Sequence, residues 1–153
     1  MKIVQLTFGK EALVDDEDYE FLMQWSWGFE PRENTGYARR KFYGRTVYMH
    51  QLVAKRSGLI VKNDVDHCDG NGLDNRRENL RPATRSQNNA NQCLSRRNKS
   101  GYKGVYWSSA AQKWAAQLAR KYLGLFEDPC EAARAYNEAA TAQFGEFAKL
   151  NSV

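Results

Sequence analysis

Val4, Leu6 and Phe8 alternate with polar neighbours, which predicts an opening strand that ends at Gly9. Asp15 or Asp16 can cap a short helix reaching Trp25, with Tyr19, Leu22 and Met23 on its apolar face. After the turn signal Asn34-Thr35-Gly36, residues 37–42 and 45–49 read as a hairpin around Tyr43-Gly44. A short helix is expected from about His50, with Leu52 and Val53 inward and Gly58 as its stop. Trp25, Trp27, Phe29 and Tyr37 read as core aromatics. Residues 59–66 look like a strand. Residues 67–79 are too rich in Asp, Asn and Gly for regular structure, and Leu80 marks a return strand. Thr84-Arg85-Ser86-Gln87 is a capping-box pattern, opening a helix with Asn88 and Asn91 one turn apart on one face.

Beyond this helix the pattern changes. Residues 92–101 hold Ser95, Arg96, Arg97, Asn98, Lys99 and Ser100 with almost nothing apolar, and read as a basic linker. Residues 104–107, 113–118 and 122–126 then suggest three strands. Asp128-Pro129-Cys130-Glu131 has the features of a helix start: a cap, a proline in the first turn and an acid. The helix runs to Phe144, and Gly145 ends it. Its small-residue face, Ala132, Tyr136, Ala139 and Ala140, suits close packing on a sheet. The expected class is α+β, in two parts. Residues 1–94 form the first, with a ββ-loop-α core at about 59–92; 95–100 are the linker; 101–153 form a three-stranded antiparallel sheet plus one helix. So small a second part should be marginally stable alone.

Size and composition narrow the function classes. The 153 residues (17.6 kDa) allow one ordinary domain or two small ones. A mean hydropathy of −0.75 is polar, but 12% aromatic residues can anchor cores, which argues against disorder throughout. No apolar run approaches the roughly 20 residues of a membrane helix, and Met1 is not followed by a signal-peptide core. Cys68, Cys93 and Cys130 are odd in number and widely spaced, so they form neither a disulfide framework nor a zinc pair. The expectation is an intracellular, cytoplasmic protein. Charge is unevenly spread: residues 1–33 carry three basic and eight acidic side chains, whereas 34–62 carry seven basic and no acid. That central block, with Arg39, Arg40, Lys41 and Arg45, points to a polyanion such as nucleic acid; the plainer alternative is a solvated basic face.

The most informative stretch is Asp66-His67-x-Asp69-Gly70-Asn71-x-x-Asp74-Asn75-Arg76-x-Glu78-Asn79-Leu80-Arg81, followed by Asn88. An EF-hand calcium loop fails. With Gly70 at the sixth position, Val65 and Arg76 stand where acids are needed. Zinc fails because the second histidine, His50, has no close cysteine pair. A hard-metal site fits better: Asp66 at a strand end and Asn88 early in the helix offer oxygen ligands suited to Mg²⁺ or Mn²⁺ with retained waters. His67, on the opposite side of the strand from Asp66, is placed to act as a base towards water attacking phosphorus. Asp69, Asn71 and Asn75 read as loop architecture.

This segment, with Met49-His50-Gln51-Leu52-Val53 upstream, resembles the HNH endonucleases, in the variant common among free-standing homing-type phage enzymes. The likeness covers roughly residues 48–91. It implies a ββα-metal hairpin in which His67 is the general base. Asn79 would brace the loop, and Asp66 and Asn88 would hold a single divalent ion. His50 would be structural or phosphate-facing. Pro82 departs from the aromatic or apolar residue often found after Leu-Arg.

The C-terminal segments Ser100-Gly-Tyr-Lys-Gly-Val-Tyr-Trp107, Lys113-Trp-Ala-Ala-Gln117, Leu123-Gly-Leu-Phe126 and Glu131-Ala-Ala-Arg-Ala-Tyr136 resemble the APETALA-type, ethylene-response-factor-like DNA-binding domain. Such domains lay their sheet in the major groove. The resemblance implies Lys103, Tyr106, Trp107, Lys113 and Trp114 as contacts to DNA, with Gln117 and Arg120 secondary; Arg96, Arg97 and Lys99 of the linker add charge. The connection at 119–121 is shorter than usual in that family, and Ser108, Ala115 and Ala119 stand where arginines are common. The combined expectation is a metal-dependent endonuclease that nicks or cuts duplex DNA, with no membrane association and no nucleotide cofactor. Its rival is a DNA-binding regulator built on an inactive nuclease fold.

Overall fold

In the computed structural model, which describes all 153 residues, the opening alternation gives two short strands instead of one. They are β1 (Lys2–Gln5) and β2 (Glu11–Val14), paired antiparallel from Lys2↔Val14 to Gln5↔Glu11. The run breaks at Leu6, whose N–H donates to the Lys10 carbonyl at 2.8 Å and closes a tight turn over Thr7-Phe8-Gly9. Helix α1 (Asp16–Leu22) is shorter than the apolar spacing suggested. Asp15 precedes it but makes no side-chain cap. Its carboxylate instead accepts from the Arg77 backbone N–H at 2.8 Å.

The expected hairpin is β4 (Gly36–Phe42) and β5 (Arg45–Tyr48), joined by β3 (Gly28–Pro31), which the sequence reading had not placed. Helix α2 (Met49–Arg56) follows directly. The strand expected at 59–66 is reduced to β6 (Asp64–His67), because Leu59 still donates to the Ala54 carbonyl (3.0 Å) at the end of α2. β6 pairs antiparallel with β7 (Leu80–Ala83), and helix α3 (Arg85–Asn91) opens on the capping box foreseen above. Thr84 N–H and Oγ donate to Gln87 Oε1 at 2.8 and 2.9 Å, and Gln87 N–H donates back to Thr84 Oγ at 3.2 Å.

The chain divides into two units, Met1–Asn88 and Asn89–Val153, so the division falls within α3. The first unit buries Val4, Val14, Leu22, Trp27, Met49, Val53 and Leu80 in one cluster. Asp18 is buried beside that cluster without any exposure, and two arginines of the same unit answer it. Arg77 donates through Nε (2.7 Å) and Nη2 (2.8 Å), and Arg56 Nε lies 3.0 Å away.

In the second unit β8 (Val105–Ser108), β9 (Lys113–Leu118) and β10 (Lys121–Phe126) form an antiparallel sheet ordered β10-β9-β8. Helix α4 (Pro129–Phe144) packs Ala132, Ala133, Tyr136 and Ala140 inward, and Asp128 Oδ1 accepts from Cys130 N–H at 2.9 Å. Gly104 sits at φ +75°, where a Cβ would collide with the Tyr136 ring; only glycine lets the strand start lie this close to α4. The linker is not wholly loose. Asn98 Nδ2 donates to the Tyr102 carbonyl (2.9 Å) and Ser100 Oγ to that of Val105 (2.7 Å), while Arg96, Arg97 and Lys99 remain exposed.

Candidate active site

The hairpin β6–β7 and helix α3 bring Asp66, His67, Asn79 and Asn88 onto one ββα element. Asp66 and His67 are adjacent on β6, opposite Arg81 and Leu80 of β7. Both are buried, at 3% and 5% exposure, unlike ordinary surface acids and histidines. Asp66 is held by a residue the sequence reading had not assigned: Arg81 Nε and Nη2 both reach its Oδ2 at 2.9 Å. Asn88 lies partly exposed in α3.

Asn79 fastens the loop between the strands. Its Nδ2 donates to Asp69 Oδ1 and to the Asp74 carbonyl, both at 2.9 Å, and its Oδ1 accepts from Asp69 N–H at 3.1 Å. The loop's Asx residues bond their own backbone as their type predicts: Asp69 Oδ1 accepts from Asn71 N–H (2.7 Å) and Asn71 Oδ1 from Leu73 N–H (3.1 Å). Two outside segments hold the loop in place. The edge of β2 brackets it, with Leu13 N–H donating to the Leu73 carbonyl and Asn75 N–H donating to the Leu13 carbonyl, each at 2.8 Å. Thr35 Oγ accepts from Gly72 N–H at 2.8 Å, and a Cβ at Gly72 would strike the Gly36 carbonyl and the Tyr37 ring.

Tyr37 and Tyr48, on β4 and β5, are half-buried beside the site and outside the apolar cluster of the first unit, so Tyr37 is not the core aromatic expected from its type. The His50 ring stacks on Tyr48 at 5.5 Å and meets the His67 ring edge-on at 5.0 Å, and Tyr37 lies 5.4 and 5.8 Å from the two imidazoles. Burial pushes His50 down to about 3, with His67 adding to the effect, so His50 is neutral. Its Nδ1 is buried with no hydrogen-bond partner. Burial also lowers His67, while the Asn75 amide beside it and the carboxylates of Asp69, Asp66 and Asp74 pull the other way. His67 is therefore an unprotonated imidazole at neutral pH. Asn75 and Arg81 stand in the motif and Tyr37 reads as a core aromatic, but their contacts at the site depend on strand register and on packing between distant segments, which spacing does not give.

No group of three or more His, Cys, Asp or Glu side chains converges on a point where a metal could sit. The fit of a metal thus rests on the donor set alone: one buried carboxylate, Asp66, and one amide, Asn88, both oxygen donors suited to a hard ion that keeps its waters. An ion on Asp66 shares that carboxylate with Arg81.

The proposed DNA contacts are scattered differently. Arg39, Arg40 and Lys41 follow one another on β4, and Arg45 opens β5. In the second unit the register pairs Trp107 with Trp114, their rings 5.3 Å apart, and Trp114 packs into the core beneath α4. Strand alternation then puts Tyr106, Ala115 and Leu125 on the other face. Lys103 is not a free contact: buried among carbonyls, it donates to Ala90 (2.5 Å) and Gln92 (2.7 Å), and burial pulls it down to about 8. Lys113 reaches Glu127 at 2.8 Å.

Two comparisons bear on this arrangement. Protein 3.8 of Escherichia phage T7 is 40% identical over 76 residues, a stretch covering 49% of this chain and 63% of the phage protein. The chain thus matches less than two thirds of that relative's length. No solved structure matches it. The model of the HNH endonuclease family matches residues 47–90, the segment running from the end of β5 through α2 and the ββα element into α3. Over residues 47–90 the chain is therefore similar to HNH endonuclease domains.

Proposed function

We propose that the chain is a metal-dependent endonuclease of the homing type that hydrolyses phosphodiester bonds in duplex DNA. The observation that carries the reading is that Asp66 and His67, consecutive at the end of β6, are both buried, with the loop beyond them braced by Asn79. His67 takes the proton from the attacking water as the new bond to phosphorus forms and the bond to the departing 3′ oxygen breaks. Asn79 keeps the loop's backbone in place, and Tyr37 and His50 pack the His67 ring in one orientation. Asp66 and Asn88 would hold the ion; when bound, Mg²⁺ or Mn²⁺ supplies neutralising charge at the scissile phosphate and the leaving oxygen. Arg40, Lys41 and Arg45 neutralise phosphates, Arg39 contributes less because Glu30 already faces it, and Arg96, Arg97 and Lys99 add phosphate contacts of their own.

Residues 101–153, within the second unit, are read as an ethylene-response-factor-like DNA-binding module. The support is its sequence likeness and its three-stranded sheet backed by one helix. Tyr106 and Trp107 are its exposed aromatics among the proposed readers, whereas the engagement of Lys103 and the packing of half-buried Trp114 against the core shift those two towards structural roles. One observation favours the rival reading of a DNA-binding regulator: Arg81 already forks onto Asp66. Incubation with supercoiled plasmid separates the two. The nuclease relaxes or linearises the plasmid with Mg²⁺ or Mn²⁺ and is silenced by EDTA. A regulator shifts the plasmid in a gel and leaves it intact with every metal.

A further inference from the structure

Phe8 is 84% exposed and sits at φ +63°, a left-handed backbone that L-residues rarely adopt. Nothing in the core explains an aromatic there, yet the turn that presents it is firmly built. Leu6 N–H closes it onto the Lys10 carbonyl (2.8 Å), and Thr7 Oγ accepts from Phe29 N–H at 2.9 Å, tying it to β3. Phe8 stands at the rim of a groove of about 630 Å³ whose other walls include Trp25, Trp27, Arg39, Arg40 and Lys41, with no acidic side chain among its lining residues. Arg40 lies 4.2 Å over the Trp25 ring and 5.1 Å from that of Phe42, so it is held by aromatic faces and not by a carboxylate. Lys41 donates to Thr46 Oγ, a neutral partner. Beyond Phe42, Tyr43 repeats the pattern of the turn: φ +45° and 91% exposure.

Arg39 of this wall is paired with Glu30, but aromatic faces interleaved with Arg40 and Lys41 match the chemistry of a nucleotide strand, whose bases offer π-faces and whose phosphates offer charge. We infer that the groove behind Phe8 is a base-stacking site for the DNA substrate, separate from the Asp66–His67 site, where Phe8 wedges beside an unstacked base while Arg40 and Lys41 hold the flanking phosphates. This rests on the nuclease reading for the identity of the polyanion. Apolar wedges between base steps unstack and kink duplexes, and the cost falls when the step is already mismatched.

The experiment compares a short fluorescein-labelled duplex with the same duplex carrying two adjacent central mismatches. Binding to the full-length protein is followed by anisotropy in Ca²⁺. The wild type binds the mismatched duplex at least about fivefold more tightly, Phe8→Ala loses that preference, and Phe8→Trp keeps it. The unfolding midpoint of Phe8→Gly stays at or above that of the wild type, because glycine is at ease at this φ. Equal affinity of the wild type for both duplexes overturns the inference, as does a preference surviving in Phe8→Ala or a marked loss of stability in Phe8→Gly. Plasmid nicking by the same wild-type preparation is scored separately. Nicking without mismatch preference removes the stacking site and leaves the nuclease reading. A preference that depends on Phe8, without nicking, supports the stacking site and removes the nuclease reading.

Discussion

Replacing Asp18 by Asn tests whether the acidic N-terminal segment is part of the unit that carries the ββα element or an appendage to it. The Asp18 carboxylate is fully buried and takes contacts of 2.7 and 2.8 Å from Arg77 and 3.0 Å from Arg56. Breaking a buried ion pair from one side commonly costs about 3–5 kcal/mol, since the other charge is left stranded. Here the stranded partners can recover water in part: the Arg77 and Arg56 side chains are 29% and 44% exposed. Asn also keeps one accepting oxygen, so the expected loss is about 2–3 kcal/mol. Urea unfolding followed by tryptophan fluorescence, with Arg77→Met and the double variant completing a cycle, measures it. The cycle should return a coupling of about 2 kcal/mol, because residues sharing a buried network are not additive. A loss below about 0.5 kcal/mol for Asp18→Asn, or simple additivity, would refute the view that α1 anchors the loop through Arg77.

Four other outcomes follow from the same geometry. His67→Ala should bind duplex DNA within a few-fold of the wild type by gel shift, while plasmid nicking falls at least about a hundredfold; parallel loss of both would make His67 structural. Gly72→Ala forces a Cβ into Tyr37 and the Gly36 carbonyl, and should lower stability by about 1–3 kcal/mol in the same urea assay and lower nicking with it. His50 stays neutral in the fold, its value depressed from 6.5 to about 3, whereas the unfolded chain takes up the proton. Its contribution to stability is therefore complete above pH 6.5 and is lost as pH falls towards 3, about 3 kcal/mol by about pH 4.5, and His50→Phe should flatten that part of the profile. Finally, Lys41→Gln should lessen the log–log salt slope of DNA binding by about 1, whereas Arg56→Gln should lower stability and leave the slope unchanged.

Where local pattern alone decides structure, the sequence was legible. The capping box at Thr84–Gln87, the Asp128-Pro129 start of α4 and the hairpin about Tyr43-Gly44 are signals within a few residues, and each element formed there. The ββα element was legible for the same reason, since the Asx-rich loop and its flanking strands are continuous in sequence. Tertiary pairing was not legible. β3 has no strong alternation and forms because it has β4 to pair with, while Leu59 is drawn to the Ala54 carbonyl at the end of α2 and the strand begins only at Asp64. Trp107 and Trp114 look alike in sequence, and only the register shows that they meet and that Trp114 enters the core. Arg81 escaped notice because its partner Asp66 lies fifteen positions away, across a ladder whose register a long loop leaves open.

Charge arithmetic along the chain misled in one instructive way. The acidic segment 1–33 and the basic segment 34–62 look like separate fields, yet in the fold they partly cancel. Asp18 meets Arg56, and Glu30 lies 3.4 Å from Arg39 and 2.9 Å from Arg32. A paired cation releases little counterion on binding, because its charge is already balanced before a phosphate arrives. The positive face available to a polyanion is thus narrower than the composition implies. Arg40 and Lys41 carry it on β4, beside the aromatic walls of the Phe8 groove, and Arg45 carries it on β5. The same folding that spends Arg56 and Arg77 on Asp18 fixes the turn leading to Asn79, and through Asn79 the loop that ends at His67. Of the seven cations in 34–62, Arg56 and Arg39 are thus engaged by acids of the first segment, and Arg40, Lys41 and Arg45 are left where a phosphate backbone can reach them.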